Sequence, residues 1–197
     1  VVHGLGTEVG QILAEHADIA AVSFTGSNAV GNKVYELASK GLKKVQCEMG
    51  GKNPVIVLEA ADIDLAAAAT AMGAFGSTGQ RCTATSRAIV VDSVADSFVE
   101  RVLQLAKEVQ AGNGMKHEKA MGPSVSETQM NKVLEYHEVA KQEGAKLLCG
   151  GGRVTEGDLQ YGHFTAPTIY DHVKWDSRLA QEEIFGPVLH IAPFDAE

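Results

Sequence analysis

Ala20-Ala21-Val22-Ser23-Phe24-Thr25-Gly26-Ser27 is an apolar run that stops at a glycine and a hydroxyl. It reads as a buried strand running into a helix start. Asn28 to Ser39 carries helical spacing and is closed by Gly41. Lys44-Val45-Gln46-Cys47 is the next strand. Strand, helix and strand in this order predict two parallel strands joined by a crossover helix. Working outward, Gly4-Leu5-Gly6-Thr7-Glu8-Val9-Gly10 precedes a short helical run from Gln11 to His16, and Val1-Val2 reads as the end of a strand. Gly4, Gly6 and Gly10 resemble a phosphate-binding turn, although their spacing departs from Gly-x-Gly-x-x-Gly. The first fifty residues thus read as a nucleotide-binding type of unit.

A boundary is expected between Gly50 and Pro54, giving residues 1–50 and 51–197 as separate units. Asn53-Pro54 interrupts the pattern, and Val55-Ile56-Val57-Leu58 is the next strand. Asp62 or Asp64 caps an alanine-rich helix reaching Phe75. A glycine-bound loop from Gly76 to Gly79 follows, then a strand from Ser86 to Val91. Ser93 to Val109 reads as an amphipathic helix with Phe98, Val102, Leu105 and Val109 on one face. Met115 to Pro123 reads as a loop. Ser126-Glu127-Thr128-Gln129 has the form of a capping box and opens a helix closed by Gly144. Ala145 to Cys149 and Phe164 to Tyr170 read as strands, the latter at a sheet edge because of Pro167. The fold class expected is α/β.

The 197 residues are 45% hydrophobic and carry a net charge of −8. That composition suits a globular core and argues against a nucleic-acid surface, which needs clustered Lys and Arg. No apolar run is long enough to span a bilayer. The three cysteines, Cys47, Cys82 and Cys149, are widely spaced and odd in number. They suggest neither a disulfide framework nor a metal site, and point to a reducing, cytoplasmic setting. The chain opens on Val1 and stops after an apolar run, so it reads as a piece of a longer protein.

Two short segments carry chemistry. Gly79-Gln80-Arg81-Cys82-Thr83-Ala84 places a thiol between a glycine loop and a strand. Arg81 beside it favours thiolate. Glu48-Met49-Gly50-Gly51-Lys52-Asn53-Pro54 places a carboxylate in a glycine turn. A sulfur nucleophile with a carboxylate base is the combination covalent catalysis needs. The competing readings are a small buried cysteine and a Glu48–Lys52 ion pair. Thr25-Gly26-Ser27 can present backbone N–H groups and a hydroxyl to a phosphate, or act only as a helix cap. Glu182-Glu183-Ile184-Phe185-Gly186-Pro187 sets two carboxylates beside an aromatic ring and a turn. Cys47 and Cys149 lie in apolar runs and read as core, and the seven histidines stand at no metal-ligand or triad spacing.

Phe24 to Ser27, Glu48 to Lys52, Gly79 to Cys82 and Glu182 to Pro187 together resemble, in order, the motifs of the aldehyde dehydrogenase superfamily. Glu48 and Cys82 stand 34 positions apart, which fits that family. The resemblance implies part of a Rossmann-like cofactor domain (residues 1–50) followed by the α/β catalytic domain of that fold (residues 51–197). It implies Cys82 as nucleophile and Glu48 as general base. Gly26, Ser27, Met49, Gly50, Glu183 and Phe185 would then bind NAD or NADP, with Gln129 a further ribose-side contact or simply part of its capping box. The reaction implied is oxidation of an aldehyde to an acid through a thiohemiacetal and a thioester. Arg81 resembles the branches that take semialdehydes bearing a distal carboxylate, 2-oxoglutarate semialdehyde being the best match to the loop from Gly79 to Arg87. The full-length parent is expected to be a homo-oligomer, with a small aldehyde as its partner and neither nucleic acid nor membrane. The isolated piece is expected to be inactive. The alternatives are a silent scaffold member of the family and a thiol hydrolase without a redox step.

Overall fold

A strand needs a neighbour for its backbone groups, and unit by unit the pairing decides where strands form. The computed structural model describes residues 1–116 and 120–195. It divides into two compact units, Val1–Gly50 and Gly51–Glu197. The loop expected over 115–123 therefore lies partly outside the described residues.

In the first unit, Val1 and Val2 are exposed and form no strand, contrary to the reading above. They have no partner strand among the described residues. A π-helical turn, Gly6–Gly10, runs into α1 (Gln11–Glu15). Then come β1 (Ala21–Gly26), α2 (Asn28–Ser39) and β2 (Lys44–Met49). β1 and β2 are parallel, with Thr25 opposite Glu48 and Gly26 opposite Met49. β2 is two residues longer than expected, so Glu48 and Met49 belong to the ladder and the turn begins at Gly50. β1 alternates exposed and half-buried residues and is not buried throughout; α2 packs on the β1–β2 pair. α2 starts where Ser27 accepts the Val30 N–H at 3.4 Å.

The second unit runs β3 (Asn53–Val57), α3 (Ile63–Phe75), β4 (Thr85–Val91), α4 (Asp92–Glu108), β5 (Gln110–Ala111), β6 (Ala120–Met121), α5 (Glu127–Gln142), β7 (Lys146–Cys149), β8 (Thr168–Asp171), α6 (Arg178–Gln181) and β9 (Val188–Phe194). Its main sheet has the order β3-β4-β9-β8-β7, parallel except for β7. Pro54 does not break β3: the strand lies at the sheet edge and absorbs the proline with a register shift. Conversely β8 is internal, since Pro167 falls just before it and removes no ladder donor.

Ala67, Ala71, Ala74 and Phe75 of α3 and Phe98 and Val102 of α4 bury one sheet face, meeting Ala88, Val90, Leu189 and Ile191. Alanines let α3 lie close to the sheet and lose no side-chain entropy. Asp62 caps α3 by accepting the Leu65 N–H at 3.0 Å. α5 and α6 cover the other face through Val133, Tyr136, Ala140 and Leu179 against Tyr170 and Val188. No helix of the described residues is long and apolar enough to cross a membrane.

That second face carries a buried polar row. Arg87, His190 and Tyr170 are neighbours across β4, β9 and β8. The Tyr170 hydroxyl meets His137 Nδ1 of α5 at 2.9 Å. His190 is 1% exposed, and neither ring nitrogen finds a hydrogen-bond partner among the described residues. Burial, with Lys52 and Arg87 beside it, pushes His190 down to about 3. Unfolded, this imidazole takes a proton near pH 6.5; folded, it refuses one until about pH 3. The unfolded chain therefore binds more protons between these values, and stability falls as pH drops through that window. Between pH 7 and pH 5 the loss from His190 is about 2 kcal/mol. Urea unfolding at both pH values should show it, and His190→Gln should remove most of the difference. An identical pH dependence in both proteins would contradict the assignment.

Candidate active site

Three αL residues in succession build the loop ahead of the cysteine. Ser77 (φ 53°), Thr78 (φ 60°) and Gly79 (φ 64°) follow the end of α3. Such geometry disfavours side chains, and a β-branched threonine most of all. Gly79 is obligatory on a second ground: an added Cβ would lie 2.2 Å from the Gly186 carbonyl oxygen and 3.0 Å from that of Ala74. Thr78, 2% exposed, donates from Oγ1 to the Gly122 carbonyl at 3.0 Å. The Gln80 amide donates to the Pro123 carbonyl at 3.3 Å and accepts the Val125 N–H at 2.8 Å. Beyond them Cys82 is exposed, and its carbonyl accepts the Asn53 amide at 2.6 Å. The same Asn53 nitrogen reaches the Ala84 carbonyl at 3.1 Å.

Arg81 is exposed, and its Nη2 donates to the Gly73 carbonyl at 3.2 Å near the end of α3. Facing this loop is the turn after α6. A recess of about 20 Å3 lies between them, lined in part by Gly79, Arg81, Thr85, Glu183, Phe185 and Gly186. Phe185 is itself left-handed (φ 60°). Gln129 holds this turn, donating to the Ile184 and Phe185 carbonyls at 3.0 and 2.9 Å. Only half of the expected capping box forms: Ser126 accepts the Gln129 N–H at 3.2 Å, while the Gln129 side chain goes to the turn. Lys132 adds a bond to the Glu183 carbonyl at 2.9 Å.

The two adjacent carboxylates have separate surroundings. Glu182 accepts Tyr136 Oη at 2.5 Å and both oxygens receive Arg178 Nε at 3.1 Å. Those bonds hold its carboxyl below the usual range. Glu183 is half-buried, and its carboxylate accepts no hydrogen bond among the described residues. Lys52 is half-buried near it; burial and Arg87 bring its ammonium down to about 8. A second, apolar recess of about 740 Å3 opens beside the cysteine loop, with Phe75, Gly76, Thr78, Gln80 and Met121 among its walls.

In the first unit, Gly26 and Glu48-Met49 stand side by side at the carboxyl ends of parallel β1 and β2. Ser27 follows Gly26 and caps α2, and Gly50 closes β2. Strand ends next to a helix N-terminus are where open α/β sheets take ligands. Glu48 and Met49 are exposed there. Cys47 and Cys149 are half-buried, not fully core, each with its sulfur 3.8 Å from a backbone carbonyl.

The aldehyde dehydrogenase family model matches residues 1–197. The chain belongs to the aldehyde dehydrogenase family. It is 47% identical over 196 residues to an alpha-ketoglutaric semialdehyde dehydrogenase of Bacillus subtilis, covering all of this chain and 40% of that relative. It is also 47% identical over 194 residues to a 1-pyrroline-5-carboxylate dehydrogenase of the same organism, covering 95% of this chain and 37% of the relative. A crystal structure of betaine aldehyde dehydrogenase from Staphylococcus aureus in complex with NAD+ superposes with a TM-score of 0.95 at 35% identity, over 99% of this chain and 39% of that one. The chain thus spans about two fifths of the relatives it matches. The α/β architecture is that of this family, as the motifs led one to expect.

Asn53 and Thr78 stand out in the structure but had no site role in the sequence reading, which gave Asn53 only a breaker's role; Gln80 was read only as part of the cysteine motif, and Gln129 as a ribose-side contact or part of a capping box. Their signal was proximity to the motifs; their partners lie 29 to 56 residues away. The turn itself can be tested. Gly79→Ala should lower unfolding stability by at least about 2 kcal/mol, because strain and backbone overlap act together. Gly152→Ala is the control, since an added Cβ there meets nothing within 4 Å. Equal denaturation midpoints for the two variants would contradict the geometry.

Proposed function

We propose that this chain is the catalytic part of a nicotinamide-dependent aldehyde dehydrogenase that acts on a carboxylated semialdehyde. The observation carrying the reading is Cys82: an exposed thiol on a strained, well-held turn, beside a recess that also contains Glu183 and Phe185. Family membership and the NAD+ seen in the related betaine aldehyde dehydrogenase support it. Residues 1–50 form part of the cofactor-binding domain, and residues 51–197 carry the nucleophile.

The residues fit a dinucleotide. Gly26 is exposed at the end of β1, with the Phe24 ring where a Cβ would stand, and the first N–H groups of α2 and the Ser27 hydroxyl favour a pyrophosphate. Met49 and Gly50 lie beside them at the end of β2. Glu183 would hold the ribose hydroxyls next to nicotinamide, with Phe185 against the ring. Glu183 suits that task because Glu182, not Glu183, is committed to Arg178 and Tyr136. When bound, nicotinamide supplies the hydride acceptor that takes the aldehyde carbon to the acid level.

The chain's own residues do the rest. Cys82 sulfur attacks the aldehyde carbon, forming a C–S bond and an alkoxide. The Cys82 backbone N–H can donate to that oxygen. After oxidation the carbon is a thioester on Cys82. Glu48 takes a proton from water, the water oxygen bonds to the carbonyl carbon, and the C–S bond breaks to release the acid and the thiolate. Arg81 recognises the distal carboxylate; a planar guanidinium suits that group. The names of two relatives, an alpha-ketoglutaric semialdehyde and a pyrroline carboxylate dehydrogenase, fit a substrate that carries a carboxylate. The three free cysteines suit a reducing cytoplasm.

In the full-length protein Cys82→Ala should lower aldehyde-dependent formation of reduced nicotinamide by several orders of magnitude. Turnover within about tenfold of wild type would remove Cys82 from the mechanism. Arg81→Ala should lower kcat/KM for a carboxylated semialdehyde roughly thirty- to a hundredfold and barely change that for an uncharged aliphatic aldehyde. Equal losses on both aldehydes would leave the dehydrogenase reading and discard the carboxylate.

A further inference from the structure

Resting on the assignment of Cys82 as nucleophile, we infer that Thr78 and Gln80 are positioning residues, which use the loop from Gly122 to Val125 as a fixed abutment for the cysteine turn. Neither side chain needs to touch substrate for this.

The geometry is specific. Thr78 takes an αL conformation that is sterically disfavoured for a β-branched residue. Left alone, the turn would relax. Its hydroxyl is bound to the Gly122 carbonyl at 3.0 Å, 44 residues away, in a site where the side chain is 2% exposed. Gln80 uses both ends of its amide on the same loop, donating to Pro123 and accepting from Val125. The abutment is itself anchored, because the Ser124 N–H donates to the His163 carbonyl at 2.9 Å. On the opposite side Gly79 lies against Gly186 with no room for a Cβ. Two residues after Gln80 comes the sulfur. A short segment pinned on both sides cannot swing, so the direction of the Cys82 Cα–Cβ bond is set by bonds made at Thr78 and Gln80. Attack on a carbonyl is sensitive to such placement, and a shift of about 1 Å can cost up to about a hundredfold.

Thr78→Val keeps shape and branching and removes only the donor; Thr78→Ser keeps the donor. The experiment uses the full-length enzyme, with kcat, KM for the aldehyde and Tm measured for both variants and for Gln80→Ala. Thr78→Val and Gln80→Ala should each lower kcat about tenfold with KM within about twofold, while the protein stays folded at the assay temperature. Thr78→Ser should recover most of the rate. The alkylation rate of Cys82 by iodoacetamide, read by mass spectrometry against Cys47 and Cys149 in the same molecule, should shift by at least about threefold in Thr78→Val. That readout needs no aldehyde chemistry. Unchanged kcat with unchanged alkylation, or a Thr78→Ser variant as slow as Thr78→Val, would overturn the inference. Should Cys82→Ala retain turnover, the nucleophile assignment fails instead, and the alkylation shift alone decides whether the turn is held as described.

Discussion

Gly79 lies against the Gly186 carbonyl, and that single contact between backbones joins the two halves of the site in the second unit. It needs a residue without a Cβ and with positive φ, and only glycine meets both demands at no steric cost. The turn before the thiol goes left-handed, Thr78 and Gln80 reach across to a distant loop, and Asn53 takes the carbonyls of Cys82 and Ala84 from the other side. The sulfur is left exposed on backbone that has little freedom. Exposed reactivity and rigid support usually conflict in a loop; here, hydrogen bonds to the main chain reconcile them.

The turn facing Cys82 is organised by the same means. Gln129 and Lys132 of α5 bond the carbonyls of Ile184, Phe185 and Glu183, so the backbone of a left-handed Phe185 is held by hydrogen bonds from α5. Arg178 and Tyr136 occupy Glu182. Glu182 is thereby committed to the fold, while the Glu183 carboxylate accepts no hydrogen bond among the described residues. Beneath them the sheet carries a buried polar row in which His190 has no hydrogen-bond partner among the described residues. An uncharged imidazole is what such a place can hold, with Lys52 and Arg87 nearby repelling a proton.

Much of this was legible in the sequence, for identifiable reasons. The helix from Asn28 to Ser39 was read correctly, and of the two roles left open for Ser27 the cap is the one seen, because apolar spacing and a hydroxyl at the boundary are local signals. The parallel β1–β2 pair followed from strand-helix-strand order. Errors came where a partner decides the outcome. Val1-Val2 looks like a strand but has no neighbour to pair with among the described residues, and Pro167 pointed to an edge although β8 is internal. Glu48 was placed in a turn and proves to be on a strand, since nothing local shows that the ladder runs on to Met49. Within the candidate site, the sequence reading named the motif residues and missed the hydrogen bonds that hold their backbone. Asn53, Thr78 and Gln80 bond to main chain tens of residues distant, and a carbonyl has no identity in sequence.

The central claim is that Cys82, and no other cysteine, becomes covalently bound to substrate. The most direct measurement is to mix the full-length Glu48→Gln variant with oxidised nicotinamide cofactor and a carboxylated semialdehyde, quench, and locate the mass increase by peptide mapping. Slowed release should let one acyl group per chain accumulate, on the peptide containing Cys82. Acylation at Cys47 or Cys149, or steady turnover with no acylated peptide at any time, would contradict the account.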